Sequence, residues 1–228
     1  MPKLVPVSSS RHASKQLLPA TSFAAYANQT VVSLLAAEFA AAALHLPTVF
    51  VKIEEKYNSA ALLGLTPESN VMIDAEGRWL GGYLPASLRR QPFVLARKDE
   101  NSTDFALCVD EESELLADKG GEALFTAEGK STPTLINAQK FSEEYLKNSI
   151  ASDKLTARLV ELELLAPLNI KDKDGKVLRY DGVMIVDEKK FNALSDEAFL
   201  ELRGLGALPV IYAHLFSLKQ LDRLIVSK

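Results

Sequence analysis

Between residues 48 and 110 the chain breaks into short apolar runs separated by turn residues, and this pattern constrains the fold more than any other feature. The runs are TVFVKIE (48–54), SAALLGL (59–65), NVMID (70–74), GRWLGGYL (77–84), PFVLARK (92–98) and DFALCVD (104–110). The separators TPESN, DAEG and DENSTD carry the Gly, Pro, Asn, Asp and Ser residues that turns require. Connections this short join antiparallel neighbours, because a parallel crossover needs a dozen or more residues. The sheet is therefore predicted to be largely antiparallel.

Helical patterns flank this meander. Residues 30–46 form an apolar stretch ending before Pro47, predicting a helix buried on most of its faces. In the second half, helices are expected over about 133–151 and from Asp153 or Lys154 to Leu165. A hairpin follows, with KDKDG (171–175) as its turn and VMIVD as the returning strand. Ser195 reads as the N-cap of a further helix with Gly204 or Gly206 near its end. The tail from Leu208 onward reads as strand or helix, becoming helical around SLKQLDRL. Together these predict an α+β fold: a largely antiparallel sheet, a buried N-proximal helix, and helices from the C-terminal half packed on it. Without a linker or composition break, residues 1–228 are expected to form a single domain.

Composition excludes several functions. A formal net charge of −4 and a pI near 5.5 lack the basic excess of a general nucleic-acid binder. The N-terminus has no apolar core of the kind a signal peptide needs. The apolar stretch 31–51 is interrupted by Glu38, His45 and Pro47, against a membrane span. Cytoplasmic localisation is the expectation. Cys108 stands alone, so no intramolecular disulfide or CxxC knuckle is possible, and within FALCV it reads as a small buried hydrophobe. His12, His45 and His214 show no metal-ligand spacing. His214, within IYAHLF, is expected to be half-buried. A calcium loop counted from Asp172 would place Lys176 at position five and Val183 at position twelve, which rules it out. GLGALP (204–209) follows a helix and lacks the third glycine of a dinucleotide fingerprint. No cofactor and no metal are expected.

The candidate working surface is the segment 70–98, which contains the only tryptophan, Trp79, followed by Tyr83, Arg89, Arg90 and Phe93. Trp and Tyr offer large rigid faces with a polar tip, and the guanidinium fork matches a carboxylate or phosphate. These residues can wall a cleft for an anionic small molecule or an acidic peptide. Equally, Trp79 can be core and the arginines can be consumed by structural carboxylates. Glu38 is an unusual residue in so apolar a helix. It reads either as an acid/base group or as an anchor for an arginine or for backbone amides.

Over most of its length the chain resembles the SapC family of bacterial proteins. The resemblance rests on Glu38–Phe39, on Pro47 and Phe50, and on ALLGL (61–65). Its central motif runs from Asn70, Asp74, Gly77 and Trp79 to Tyr83, Pro85, Arg89, Arg90, Pro92 and Phe93. LCVD (107–110), Leu124–Phe125 with Gly129, and YAHLFSL (212–218) extend it. The resemblance implies association with surface-layer loci and with oxygenase- or halogenase-type enzymes, but no established activity and no catalytic residues. The expectation is a non-enzymatic binding or accessory protein using Trp79, Tyr83, Arg89, Arg90, Phe93 and Glu38, with a protein or an anionic small molecule as partner. The alternative is an enzyme with Glu38 as acid/base and Arg89 and Arg90 as anion clamp.

Overall fold

The N-proximal helix is much shorter than the sequence predicts. In a computed structural model describing residues 3–66, 69–98, 104–171 and 177–226, Val31–Ser33 is a strand, Ala36–Glu38 a 3-10 turn and Phe39–Ala42 a single helical turn. Val31 and Val32 are β-branched and stiff, and they pair with Leu62 and Ala61 at a sheet edge rather than winding into a helix. What remains helical is buried as expected: Phe39 and Ala42 are wholly inaccessible.

The chain divides into two compact units. The larger comprises residues 22–86 and 148–228. Its sheet has five strands, all antiparallel, in the spatial order Leu165–Lys171, Val177–Val186, Thr48–Ile53, Lys56–Leu62, Val31–Ser33. Val49 and Phe50, neighbours on opposite faces of their strand, are both wholly buried, as are Phe39, Leu46, Ala61, Leu159, Leu202 and Ile211, and the Phe50 ring packs against Phe39 with centroids 5.9 Å apart. The expected hairpin is present, although the residues of its turn from Asp172 to Lys176 lie outside the described ones. Helices Asp196–Gly204 and Ala207–Ser217 follow; Ser195 Oγ accepts the Ala198 amide at 3.3 Å, the expected cap.

The smaller unit comprises residues 1–21 and 87–147. One three-stranded sheet has Phe105–Asp110 in the centre, between Leu4–Pro6 and Phe93–Arg97. A second places Gln16–Leu17 between Leu116–Ala117 and Glu122–Ala123. Phe93, Val109, Leu116, Leu124, Phe125 and Leu135 make its core. Cys108 is buried there, and burial raises its thiol pKa. Glu111 fastens the N-terminal arm: Arg11 bonds its carboxylate through Nε and, at 2.8 Å, through Nη2, and Lys3 Nζ lies at 3.1 Å. Those contacts, the Arg11 hydrogen bond foremost, hold the Glu111 carboxyl down at about 2.

The two expected C-terminal helices are one, Pro133–Glu161. Ser152–Asp153 resembles a helix start, but Ser152 Oγ donates back to the Asn148 carbonyl at 2.7 Å, so its hydroxyl joins the helix rather than capping a new one. The same oxygen accepts the Ala36 amide at 2.8 Å. The helix begins on Pro133, whose missing N–H costs nothing at a first position, with Thr132 before it. Its residues up to Lys147 belong to the smaller unit and those from Asn148 onward to the larger.

Two further expectations change. NVMID and GRWLGGYL are not strands; a lone bridge joins Ile73 to Trp79. Some of the backbone donors in this stretch go to side chains: Asp74 Oδ1 accepts the amides of Glu76 at 3.1 Å and Arg78 at 2.8 Å, and Asn70 Oδ1 accepts that of Met72 at 2.9 Å. His214, expected to be half-buried, is wholly buried. Its Nε2 accepts the Val186 amide at 3.0 Å while Nδ1–H donates to the Thr48 carbonyl at 2.8 Å, so both ring nitrogens are satisfied. Ser217 Oγ completes the cluster, accepting from the Thr48 amide at 2.9 Å and donating to the His214 carbonyl at 2.7 Å.

Candidate functional site

The six candidate residues fall into two groups, one in each unit. In the larger unit, Glu38, Trp79 and Tyr83 interlock. Glu38 Oε1 accepts the Tyr83 hydroxyl at 2.7 Å and the Ala86 amide at 2.7 Å; Oε2 accepts the Leu35 amide at 2.9 Å. A 6% exposed carboxylate thus meets three donors, one from Leu35 just before it and two from the stretch 83–86. Charge-assisted bonds of this kind are roughly twice as strong as neutral ones. The arrangement does the work of an anchor to backbone amides.

Trp79 is tied down in the same way. Its Nε1–H donates to the Tyr83 carbonyl at 3.0 Å, and its ring meets Phe23 edge-on with centroids 6.0 Å apart. The loop between them passes so close that a Cβ on Gly81 would lie 2.7 Å from Trp79 Nε1, and one on Gly82 2.3 Å from His45 Nδ1. Gly77, at φ +80°, supplies the left-handed turn that Asp74 closes. Trp79, Tyr83 and Glu38 are therefore joined by successive hydrogen bonds.

In the smaller unit, Arg89, Arg90 and Phe93 line one cavity of about 450 Å³ with Leu17, Glu122 and Phe141. Arg89 and Arg90 close a short helical turn, Ala86–Arg89, and lead to Phe93 through a cis Gln91–Pro92 peptide. Each guanidinium lies over an aromatic ring of the long helix: Arg89 Cζ is 5.3 Å from the Phe141 centroid, and Arg90 Cζ is 4.2 Å from that of Tyr145. Residues 141 and 145 are one helical turn apart, so the two rings form a ladder that holds the two cations. A ring against the face of a guanidinium leaves its N–H edge as the part able to take an acceptor. Arg90 Nε is buried and has no hydrogen-bond partner. Asn137, Thr134 and Pro133, from the first turns of the helix, face the same space, and the Thr134 hydroxyl donates to Glu122 Oε2.

The rings of Phe141 and Tyr145 and the amide of Asn137 escape sequence reasoning, because they lie some fifty residues beyond the arginines. The i, i+4 spacing of Phe141 and Tyr145 on a helix was the available signal. Among the described residues, no group of three His, Cys, Asp or Glu side chains is placed to hold a metal. No single described helix is long and apolar enough to cross a membrane.

The family model of SapC matches residues 7–224. No curated protein and no solved structure matches the chain.

Proposed function

The chain belongs to the SapC family, and on that footing we propose that it is a non-enzymatic binding or accessory protein that takes an anionic group into the Arg89–Arg90 cavity. The observation that carries this reading is the pair of guanidinium groups held over Phe141 and Tyr145 at the edge of a cavity of about 450 Å³. That volume lies within the range of small-molecule sites. Fixing two arginines in advance removes part of the side-chain entropy that binding otherwise costs. Glu38 serves as an anchor in this reading, since three donors already occupy its oxygens. Trp79 and Tyr83 support the loop that carries it. An oxygenase- or halogenase-type enzyme is the class of partner for which such a protein would hold or deliver a ligand.

The test is calorimetric titration of the wild-type protein and the Arg89→Ala/Arg90→Ala variant with phosphate, citrate, hexaglutamate, acetate, octanoate and 2-naphthoate. At least one anion should bind the wild type and lose at least about tenfold in affinity to the double variant, whose thermal midpoint stays near that of the wild type. Absence of binding by every anion, or equal binding by the variant, overturns the reading. A collapse of the midpoint shows the arginines to be architectural.

A further inference from the structure

The strand Lys56–Leu62 is covered along only part of its outer edge. Its inner edge pairs with Thr48–Ile53 from Lys56, opposite Ile53, to Ala61, opposite Thr48. The outer edge meets Val31–Ser33 only at Ala60, Ala61 and Leu62. Antiparallel ladders alternate, so every second residue turns its N–H and C=O outward. The Leu62 amide donates inward to the Pro47 carbonyl at 2.9 Å, while the Ser59 carbonyl accepts outward from the Leu34 amide at 3.2 Å. Two residues before Ser59, the N–H and C=O of Tyr57 therefore face the outer edge as well. The chain that would cover them has already left: after Leu34 it turns into Ala36–Glu38, where Ser152 Oγ accepts the Ala36 amide. No described strand pairs with Tyr57 on that side.

The vacated lane is a cavity of about 480 Å³ between this strand and the last turns of the helix Pro133–Glu161, within the larger unit. Tyr57, Ala157 and the 39% exposed Val160 are its apolar contributors. Of its charged groups, Glu55 has Lys52 at 3.6 Å and Glu161 has Arg158 at 2.8 Å. Lys56, Lys154 and Asp153 have no ion-pair partner among the described residues, which leaves two unengaged lysines against one acid.

We infer that this lane docks an extended peptide segment of a partner protein, in which small apolar residues alternate with acidic ones. The segment adds one strand to the sheet, its backbone exchanging hydrogen bonds with Tyr57. Its small side chains pack on Tyr57, Ala157 and Val160, and its carboxylates reach Lys56 and Lys154. A small molecule without a peptide backbone would leave the Tyr57 donor and acceptor unmatched. A lysine on a strand edge disfavours pairing with a second copy of the chain, which leaves a different protein as the occupant. The lane belongs to the other unit from the arginine cavity, and the inference does not depend on that site.

The probe is the blocked peptide acetyl-TVEVET-amide, titrated into the full chain while amide hydrogen exchange is followed by NMR. In the free protein the Tyr57 amide should exchange at least about tenfold faster than that of Asn58, which bonds into the hairpin. Saturating peptide should slow exchange at Tyr57 by a similar factor. The same peptide with every amide methylated keeps the side chains and loses the donors, and should bind at least about tenfold more weakly. So should acetyl-TVKVKT-amide, and Lys56→Glu/Lys154→Glu should reverse the preference between the acidic and the lysine peptide. Ala157→Trp, at an exposed helix position, should block the lane and weaken the acidic peptide about tenfold while the thermal midpoint holds. Equal protection of Tyr57 and Asn58 in the free protein, or exchange at Tyr57 unchanged by about 1 mM peptide, overturns the inference. Equal binding of the methylated peptide, or unchanged binding by Ala157→Trp, overturns it too. If the lysine peptide binds as tightly as the acidic one or more so, the acidic assignment falls.

Discussion

The hydroxyl of Tyr83 donates to Oε1 of Glu38 across 2.7 Å, joining a buried carboxylate to a tyrosine 45 positions later in the chain. Through that bond, the loop carrying Trp79 is pinned to the 3-10 turn that holds Glu38. A residue that reads as an acid/base candidate is thereby committed to holding backbone in place.

This commitment has a measurable size. Glu38→Ala strands the amides of Leu35 and Ala86 and the Tyr83 hydroxyl, and unsatisfied buried donors cost about 1–3 kcal/mol each. Urea unfolding should register a loss of about 4 kcal/mol for Glu38→Ala and about 1–2 kcal/mol for Tyr83→Phe. A Glu38→Ala protein as stable as the wild type would remove the anchor from the account.

His214 gives the fold a pH dependence with a definite sign. Burial depresses its pKa from 6.5 to about 4, because the charged ring would lose its hydration, and protonation would in addition turn an N–H against the Val186 amide. The unfolded chain takes up the proton first, so the contribution of His214 is fully present above about 6.5 and is lost as pH falls toward 4. The loss across that window is on the order of 3 kcal/mol. Stability of the wild type and of His214→Asn, measured between pH 7.5 and 4.5, should diverge in slope, the wild type falling faster toward acid. Parallel curves would refute the assignment.

Two glycines should respond oppositely to a methyl group. A Cβ on Gly64 would lie 1.5 Å from the Ser69 carbonyl oxygen, backbone against which nothing cheap can yield. Gly64→Ala should cost more than about 3 kcal/mol. Gly204 closes the helix Asp196–Gly204 with open space around it. Gly204→Ala should therefore raise stability by about 0.4–1 kcal/mol through the lower entropy of the unfolded chain. Thermal and urea midpoints of the two variants decide both halves of the claim.

Cys108 offers a chemical probe of the smaller unit. It is 5% exposed and its thiol pKa is raised by burial, so little thiolate is present at neutral pH. Reaction with a disulfide reagent should be at least about a hundredfold slower in the native protein than in denaturant. Fast native labelling would show that the strand Phe105–Asp110 opens readily.

Where a residue's role is carried by local chemistry, the sequence foretells the structure. The strands Thr48–Ile53, Phe93–Arg97 and Phe105–Asp110 follow from short apolar, β-branched and aromatic runs set between turn residues, and the Ser195 cap from its position before an acidic first turn. Misreadings arise where a polar side chain takes over the backbone's hydrogen bonding. Ser152 removes a break that its sequence context advertises, and Asp74 and Asn70 turn strand-like runs into loop. The site is legible in the same uneven way. Arg89, Arg90 and Phe93 are visible because they are adjacent, whereas Phe141 and Tyr145 meet them through a helix that begins forty residues later. No local pattern records that meeting.

The strand Leu4–Pro6 pairs with Asp110, Val109 and Cys108. During synthesis its partner therefore emerges about a hundred residues behind it, a delay of roughly 5–20 s at ordinary elongation rates. For that interval the first strand has no ladder to join, while the hairpin Thr48–Ile53/Lys56–Leu62 is complete soon after its last residue leaves the ribosome. The order of manufacture therefore runs against the order of the chain: the middle can set first, and the beginning must wait.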